Sequence, residues 1–347
     1  MPNLNIKVTQ SHRALRIWLL VNIALIFLMV LVGGLTRLTG SGLSMVDWQP
    51  LLGTLPPLNQ ESWEKVFQQY QLFPQYQKVN LGMSLQDFKA IFYWEYFHRL
   101  LGRLIGLVYL LPLIYFHIKG NLSSSLKKQL NIGFVLGGLQ GLLGWYMVKS
   151  GLVNNPHVSH FRLAAHLGLA FFVSAYLFWI YLDTDNRNCF KKPNLAPLTT
   201  LSLLSCTLIF QIIYGAFTAG LKAGMIYNTF PKMNGAWTPF EWVELTPFYK
   251  NFIYDLGGIQ WVHRTTAWLL LLLVIYLSSY IKDYKSTPRL LKSVYIFISL
   301  FILQFLLGVM TLLTQVKIHW ASMHQLGAFL LILSLTNLWF QFLKPQK

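Results

Sequence analysis

The chain has 347 residues, of which 54% are hydrophobic and only 11% carry a charge. Soluble domains average about 25% charged residues, so this composition excludes an ordinary soluble protein and is typical of a membrane protein. The formal net charge of +17 raises the question of nucleic-acid binding. The basic residues, however, concentrate in alternate gaps between apolar segments. We therefore predict contact with anionic membrane lipid and no nucleic-acid partner.

Eight apolar segments are each long enough to cross about 30 Å of hydrocarbon. They are predicted at 17–36, 91–116, 130–149, 161–182, 198–221, 259–281, 290–315 and 320–343. Each should be an α-helix, because a helix satisfies its own backbone hydrogen bonds in lipid. The predicted fold class is therefore all-α, a polytopic membrane protein with eight transmembrane helices. The basic gaps include both termini, which predicts that both termini are cytoplasmic.

The second half of the chain repeats the first at an interval of roughly 160–180 residues. The end of the first segment, GGLTRLTGSGLSM, resembles the end of the fifth, GAFTAGLKAGMIY, and EYFHR of the second resembles QWVHR of the sixth. Likewise LQGLLG of the third parallels LQFLLG of the seventh, and HLGLAF of the fourth parallels HQLGAF of the eighth. Because four crossings make an even number, the copies are parallel repeats. We predict two pseudo-symmetric four-helix bundles, residues 1–190 and 191–347.

One histidine lies near the start of each even-numbered segment, about 6–11 Å below the outer surface. An ionisable ring inside a membrane is costly and therefore indicates a function. Opposed imidazoles in a helical bundle commonly hold a metal or a haem iron, and a haem also holds neighbouring helices apart. We predict one iron site in each half. The first pairs His98 with His166, and the second pairs His263 with His324.

The two predicted sites differ in one acidic residue. Glu95 lies three residues before His98 and shares its helical face, whereas the second half has Gln260 at this offset. A carboxylate can accept a proton or stabilise positive charge, while an amide can only hydrogen-bond. We therefore predict catalysis in the first half, by Glu95, His98 and His166, and a permanent cofactor in the second. The alternative is that Glu95 merely pairs with Arg99, its i+4 neighbour.

Three arginines lie beside the histidines and are predicted to bind a cofactor. Arg99 and Arg264 each follow a histidine directly, and Arg162 lies one turn before His166. A guanidinium fork near the outer boundary fits the carboxylate of a haem propionate. For each of them the alternative is that the side chain extends to a lipid phosphate. The long aromatic-rich outer loops after the first and fifth segments are predicted to cover the two sites, although aromatic residues are also ordinary at a membrane interface.

Taken together, these strings resemble the haem A synthase family, most closely its proteobacterial and mitochondrial branch. The resemblance covers nearly the whole chain and rests on VGGLTRLTGSGLSM, WEYFHRLLGRLIG, AAHLGLA, WVHRTTAW and MHQLGA. It implies oxidation of the C8 methyl group of haem o to a formyl group, which makes haem a for cytochrome oxidase. It also implies that His263 and His324 ligate a resident haem b. His98 and His166 would then contact the iron of the substrate haem o, with Glu95 as the essential carboxylate.

The resemblance further implies a multi-pass protein of the bacterial or mitochondrial inner membrane. A haem o farnesyltransferase is an implied partner, a homo-oligomer is compatible with the sequence, and the electron donor is not identified. Two other functions also fit four histidines. A dihaem b-type cytochrome that transfers electrons from quinol gives no reason for a carboxylate in one half only. A non-catalytic haem carrier does not explain two bis-histidine sites.

Overall fold

The computed structural model describes residues 2–46, 55–119, 122–152, 156–184, 198–239, 244–282 and 288–344. Over these residues the chain forms ten α-helices and two short 3₁₀ helices, Ala223–Met225 and Phe248–Phe252. The α-helices are α1 (Pro2–Leu38), α2 (Gln60–Gln71), α3 (Pro74–Lys78), α4 (Leu85–Lys119), α5 (Ser124–Lys149), α6 (His160–Asp183), α7 (Leu198–Gly220), α8 (Leu256–Lys282), α9 (Pro288–Leu313) and α10 (Ile318–Leu343). The prediction of an all-α fold is confirmed.

Eight of these helices, α1 and α4–α10, are long and apolar enough to cross a membrane, and the spanning part of α1 is Arg13–Leu38. Each overlaps one predicted segment, so the prediction of a polytopic membrane protein is confirmed. Local sequence signals set several helix starts. Ser123 caps α5 by accepting a hydrogen bond from the Leu126 N–H. Pro288 begins α9, where its fixed backbone angle suits the first turn.

Helix α4 begins at Leu85, earlier than the predicted segment 91–116. Its added turns carry Phe88 and form one aromatic cluster with Trp63 and Tyr70 of α2. Both α2 and α3 belong to the first long outer loop, and they pack on the outer end of α4. Hydropathy alone did not predict these turns, because α4 alternates apolar and charged residues there. Residues 47–54 of this loop and 240–243 of the second long loop lie outside the described residues.

The chain divides into two compact units, Met1–Ala170 and Phe171–Lys347. In the first unit, α1 packs mainly against α4, which also contacts α5. In the second unit, α7 packs against α8 and α9 against α10, around a core of leucine and phenylalanine side chains that includes Leu277 and Phe297. The division falls within α6. The boundary predicted at residue 190 lies outside the described residues.

A repeated threonine–glycine contact occurs where α1 and α7 end. A Cβ atom built on Gly42 would lie 3.9 Å from Thr36 Cγ2, and one built on Gly224 would lie 3.8 Å from Thr218 Cγ2. The two threonines and the two glycines are the residues that the sequence repeat matches. The repeated strings therefore fold into the same local structure in both halves.

Candidate functional site

His98 of α4 and His166 of α6 come together in the first unit, close enough to interact electrostatically. Each imidazole packs against a glycine of the preceding spanning helix. A Cβ atom built on Gly33 of α1 would lie 3.1 Å from His98 Cε1, and one built on Gly144 of α5 would lie 3.0 Å from His166 Cε1. Side chains rarely approach a Cβ atom so closely, so glycine is what lets each ring lie there.

The second unit repeats this arrangement with His263 of α8 and His324 of α10, which also interact electrostatically. A Cβ atom built on Gly215 of α7 would lie 3.1 Å from His263 Cε1. One built on Gly308 of α9 would lie 2.9 Å from His324 Cε1. The structure thus places the histidines in the two couples expected from the sequence, each couple within one unit.

The role of these four glycines was not predicted from the sequence, although the sequence carries a signal for them. Gly33 and Gly215 open the matched strings GGLT and GAFT, and Gly144 and Gly308 stand in the matched strings LLGW and LLGV. Glycine is common in membrane helices, so its recurrence alone points to no partner. Only the packing of each helix against the next shows that the glycines face the imidazoles.

Glutamine side chains lie beside two of the imidazoles, four residues before the glycine that the ring contacts. Gln140 Nε2 lies 3.1 Å from His166 Nδ1 and also donates to the His166 carbonyl at 3.0 Å. Gln211 Nε2 lies 3.5 Å from His263 Nε2, at the limit of a hydrogen bond. The His263 Nδ1 atom is buried without a hydrogen-bond partner among the described residues.

The fourth imidazole, His324, also contacts a glutamine, through the glutamine backbone. Its Nδ1–H donates to the backbone carbonyl of Gln304 at 3.2 Å. In a helix that carbonyl also accepts from the residue four positions on, here Gly308, whose missing side chain leaves room for a second donor. The amide oxygens of the three glutamines share one property. Each Oε1 atom is buried without a hydrogen-bond partner among the described residues in Gln140, Gln211 and Gln304.

Glu95 is only 3% exposed and accepts four hydrogen bonds. Its Oε2 atom accepts from the backbone N–H of Ser44 at 2.7 Å, the Ser44 hydroxyl at 2.8 Å and the backbone N–H of Met45 at 2.9 Å. Its Oε1 atom accepts from Arg99 Nη2 at 2.6 Å. The ion pair weighed as the alternative for Glu95 is therefore present. The contacts to Ser44 and Met45, which the sequence did not predict, attach the outer loop to α4.

Gln260, the counterpart of Glu95, is 2% exposed and makes a contact of opposite polarity. Its Nε2 atom donates to the Tyr227 carbonyl at 3.2 Å, and its Oε1 atom is buried without a hydrogen-bond partner among the described residues. The first half therefore fastens its outer loop with a carboxylate that accepts backbone N–H groups. The second half uses an amide that donates to a backbone carbonyl. Among the described residues, Glu95 thus places a carboxylate on α4 one turn before His98, whereas the uncharged Gln260 holds the corresponding place before His263 on α8.

Two of the predicted cofactor-binding arginines bind backbone carbonyls of the outer loops. Arg99 Nη2 donates to the Met45 carbonyl at 2.7 Å. Arg264 Nη2 donates to the carbonyls of Thr229 and Pro231 at 2.9 Å each. The second guanidinium nitrogen of Arg264, Nη1, is buried without a hydrogen-bond partner among the described residues. Arg264 therefore carries a buried cationic donor next to the second histidine couple.

The third arginine, Arg162, lies at the outer end of α6, one turn before His166. Its Nη1 atom donates to the Tyr146 carbonyl at 2.7 Å, and its guanidinium carbon lies 3.7 Å from the centre of the Tyr146 ring. This combined hydrogen bond and cation–π contact fixes the guanidinium against α5. The described contacts of Arg162 are thus with protein groups of the neighbouring helix.

The similarity to known proteins runs from the first spanning helix, α1, to the last, α10. The family model described as "Cytochrome oxidase assembly protein" (COX15-CtaA) matches residues 16–336. A protein of Nitrosospira multiformis named "Heme A synthase" is 48% identical over 325 residues, which are 92% of this chain and 91% of that protein. Proteins of the same name from Nitrosomonas eutropha and Flavobacterium johnsoniae are 44% and 42% identical. Each alignment covers 94% of this chain, with 92% and 97% of the respective relative.

Proposed function

Because the chain belongs to the cytochrome oxidase assembly protein family, we propose that it is a haem A synthase, the name that relatives 42–48% identical to it carry. It oxidises the C8 methyl group of haem o to a formyl group and so supplies haem a for cytochrome oxidase. The observation that carries this conclusion is the pair of repeat-related histidine couples, of which the first has a buried carboxylate, Glu95, one turn before a histidine and the second has an amide, Gln260, in the same place. Two sites of one design but different charge suit one reacting haem and one resident haem.

We propose that His263 and His324 hold haem b as the resident cofactor. The residues fit such a group, because His263, the adjoining Arg264 and the two glutamines that contact the couple each have a polar atom that is buried without a partner among the described residues: His263 Nδ1, Arg264 Nη1 and the Oε1 atoms of Gln211 and Gln304. Buried polar groups are normally satisfied, so unpartnered ones on the couple and its neighbours indicate a place for a polar ligand. When bound, haem b supplies one-electron redox chemistry, and the protein fixes its position.

We propose that His98 and His166 contact the iron of the substrate haem o and that Glu95 is the carboxylate of the reaction. Four donors hold Glu95, three from the outer loop and one from Arg99. Of the two roles predicted for it, this geometry favours electrostatic stabilisation of positive charge that develops as the methyl carbon is oxidised. Taking up a proton would require Glu95 to give up one of its hydrogen bonds to the loop.

The three arginines are not equally well supported as propionate ligands. Arg264 has the strongest, because its Nη1 donor is buried and unpartnered among the described residues. Arg99 and Arg162 are proposed as propionate ligands on position and charge. A guanidinium has five N–H donors, so a bond to one carbonyl leaves it able to bind a carboxylate as well. The bonds of Arg99 and Arg264 to loop carbonyls also fix the outer loops beside the sites.

We propose that the protein lies in a bacterial or mitochondrial inner membrane with both termini in the cytoplasm or its mitochondrial equivalent. The support is the concentration of basic residues at the termini and in the gaps on the same side. A haem o farnesyltransferase is the proposed partner, since the substrate carries a farnesyl tail and is poorly soluble in water. Contact with anionic lipid is proposed because of the same basic residues. A separate electron donor and a homo-oligomer are proposed as further partners from the sequence.

Pigment extraction from the purified protein tests the proposed activity. After co-expression with a haem o farnesyltransferase, the protein should contain haem b together with haem o and haem a. Without the farnesyltransferase it should contain haem b alone. Haem b alone under both conditions would instead identify a dihaem b-type cytochrome. Bound haem o that never yields haem a would identify a carrier. Either of these two results would overturn the proposal.

A further inference from the structure

One of the four histidines, His98, differs from the others in a residue of the helix that it packs against. The residue four positions before the glycine that each ring contacts is a glutamine on α5, α7 and α9, but it is Met29 on α1. The sequence repeat that matches Gly33 with Gly215 also matches Met29 with Gln211. The Met29 side chain reaches α4 one turn beyond His98, since a Cβ atom built on Gly102 would lie 3.6 Å from Met29 Cε.

This exchange removes a hydrogen-bonding group from the surroundings of His98. A thioether is only a weak acceptor, whereas an amide offers a strong acceptor and two donors. Among the described residues, no hydrogen bond involves the His98 ring. The glycine contact is not what differs, because the Gly33–His98 distance of 3.1 Å falls within the 2.9–3.1 Å of the other three contacts.

The missing group matters for an imidazole that binds iron. A histidine that ligates a metal through one ring nitrogen normally donates the other N–H to an acceptor, which fixes the ring and strengthens its bond to the metal. His324 already donates to the Gln304 carbonyl. The side-chain amides of Gln140 and Gln211 lie against His166 and His263 through their Nε2 atoms. The Oε1 atom of each amide is buried without a partner among the described residues, and a 180° turn of the amide brings this acceptor to the ring. His166 and His263 therefore each have a side-chain acceptor within reach.

We propose, resting on the haem ligation proposed above, that His98 is the most readily exchanged of the four iron ligands and that Met29 is the positioning residue that makes it so. With the substrate haem held by both rings, exchange of His98 would open its iron to a small ligand, while His166, which contacts Gln140, would continue to hold the haem. His263 and His324 would both stay bound to the resident haem. The first pair would therefore permit chemistry at iron, and the second would favour electron transfer alone.

Carbon monoxide binding to the dithionite-reduced, haem-loaded protein measures this exchange directly, through the change in the Soret spectrum. In the wild type, carbon monoxide should bind the first-half haem and leave the second-half haem six-coordinate. Met29→Gln should slow carbon monoxide binding by about tenfold, the lower end of the effect of such partners on metal affinity. Met29→Leu, which has similar volume and no amide, is the matched control and should react as the wild type does.

The reciprocal variant Gln211→Met tests the same idea in the other half and guards against poor folding of a single variant. It should make the second-half haem reactive toward carbon monoxide. If Met29→Gln and Met29→Leu react at the same rate, or if Gln211→Met leaves the second-half haem unreactive, the inference is wrong. Haem content is measured on the same samples. Protein that binds no haem in either half would instead refute the proposed function, so the two failures are distinguishable.

Discussion

The backbone N–H of Ser44 donates to Glu95 Oε2 at 2.7 Å and so joins the loop that leaves α1 to a carboxylate of α4. The matching bond of the second half runs in the opposite direction, from the amide of Gln260 to the carbonyl of Tyr227. The two halves thus fasten equivalent loops in equivalent places. Where the first half has the carboxylate of Glu95 one turn before His98, the second has the neutral amide of Gln260 before His263. That difference is the basis on which we assign the reaction to the first half.

Replacing Glu95 by glutamine keeps the size of the side chain and removes its charge. Glu95→Gln should leave haem b content unchanged and lower haem a formation by about 100-fold, a typical cost of removing one electrostatic stabiliser. The measurement is chromatography of extracted haems, normalised to protein. Glu64→Gln, at an exposed position of α2, is the control and should make haem a normally. Wild-type haem a output from Glu95→Gln would rule out a catalytic role for this carboxylate.

Removing one ligand should separate the two haem sites. His263→Ala should lose most of the haem b, because the remaining His324 would bind its iron through one axial bond only. His98→Ala should retain haem b, since the ring lies in the other couple. The pyridine haemochrome spectrum gives the content of each haem. His319→Ala, near the start of α10, serves as the control. A normal haem b content in His263→Ala would contradict the cofactor assignment.

A methyl group added at a glycine that contacts a histidine should disturb the iron ligand without removing it. In Gly308→Ala the new Cβ atom would lie 2.9 Å from His324 Cε1, so the ring must shift. We expect severalfold weaker retention of haem b and altered low-spin electron paramagnetic resonance g-values. Gly141→Ala on α5 is the matched control, because a Cβ atom there meets nothing within 4 Å. Identical spectra from the two variants would show that the glycine contact does not position the ring.

The half-buried guanidinium of Arg264 should raise the reduction potential of the resident haem, because a nearby positive charge stabilises the reduced form. Arg264→Gln should lower the midpoint potential by on the order of 50 mV, close to a tenfold change in a one-electron equilibrium. Redox titration monitored by absorbance gives this value. Arg289→Gln, at the opposite end of α9 from Gly308, removes the same charge far from the site. Equal potentials in the two variants would place Arg264 away from the haem.

The sequence predicted the spans and the histidine couples because both depend on long-range regularities, namely apolar length and an internal repeat. It did not predict α2, whose Trp63 and Tyr70 face the core while polar residues face outward, since a search for long apolar runs passes over a short amphipathic helix. For Glu95 it offered two roles. The backbone N–H groups of Ser44 and Met45 that decide between them come from a loop that no periodicity describes.

The glycine contacts and the glutamine partners of the histidines could not be predicted from the sequence either, for a related reason. In the sequence, Gln140 and Gln304 are matched positions of the internal repeat, and nothing there indicates that they or Gln211 contact a histidine. The residues that share one face of a helix can be predicted from its own sequence. The side chains that this face contacts depend on how α5, α7 and α9 pack on their neighbours. The difference between Met29 and Gln211 acquires meaning only after the structure shows Gln211 beside His263 and Met29 against α4, one turn beyond His98.

Near-infrared magnetic circular dichroism of the oxidised protein, purified after co-expression with a haem o farnesyltransferase, tests most directly whether each histidine couple holds one iron. We predict two haems per chain, both with the charge-transfer band of bis-histidine ligation, and loss of one such band in either His98→Ala or His263→Ala. A single haem per chain, or a spectrum of histidine–methionine or mono-histidine ligation in the unmodified protein, would contradict the account.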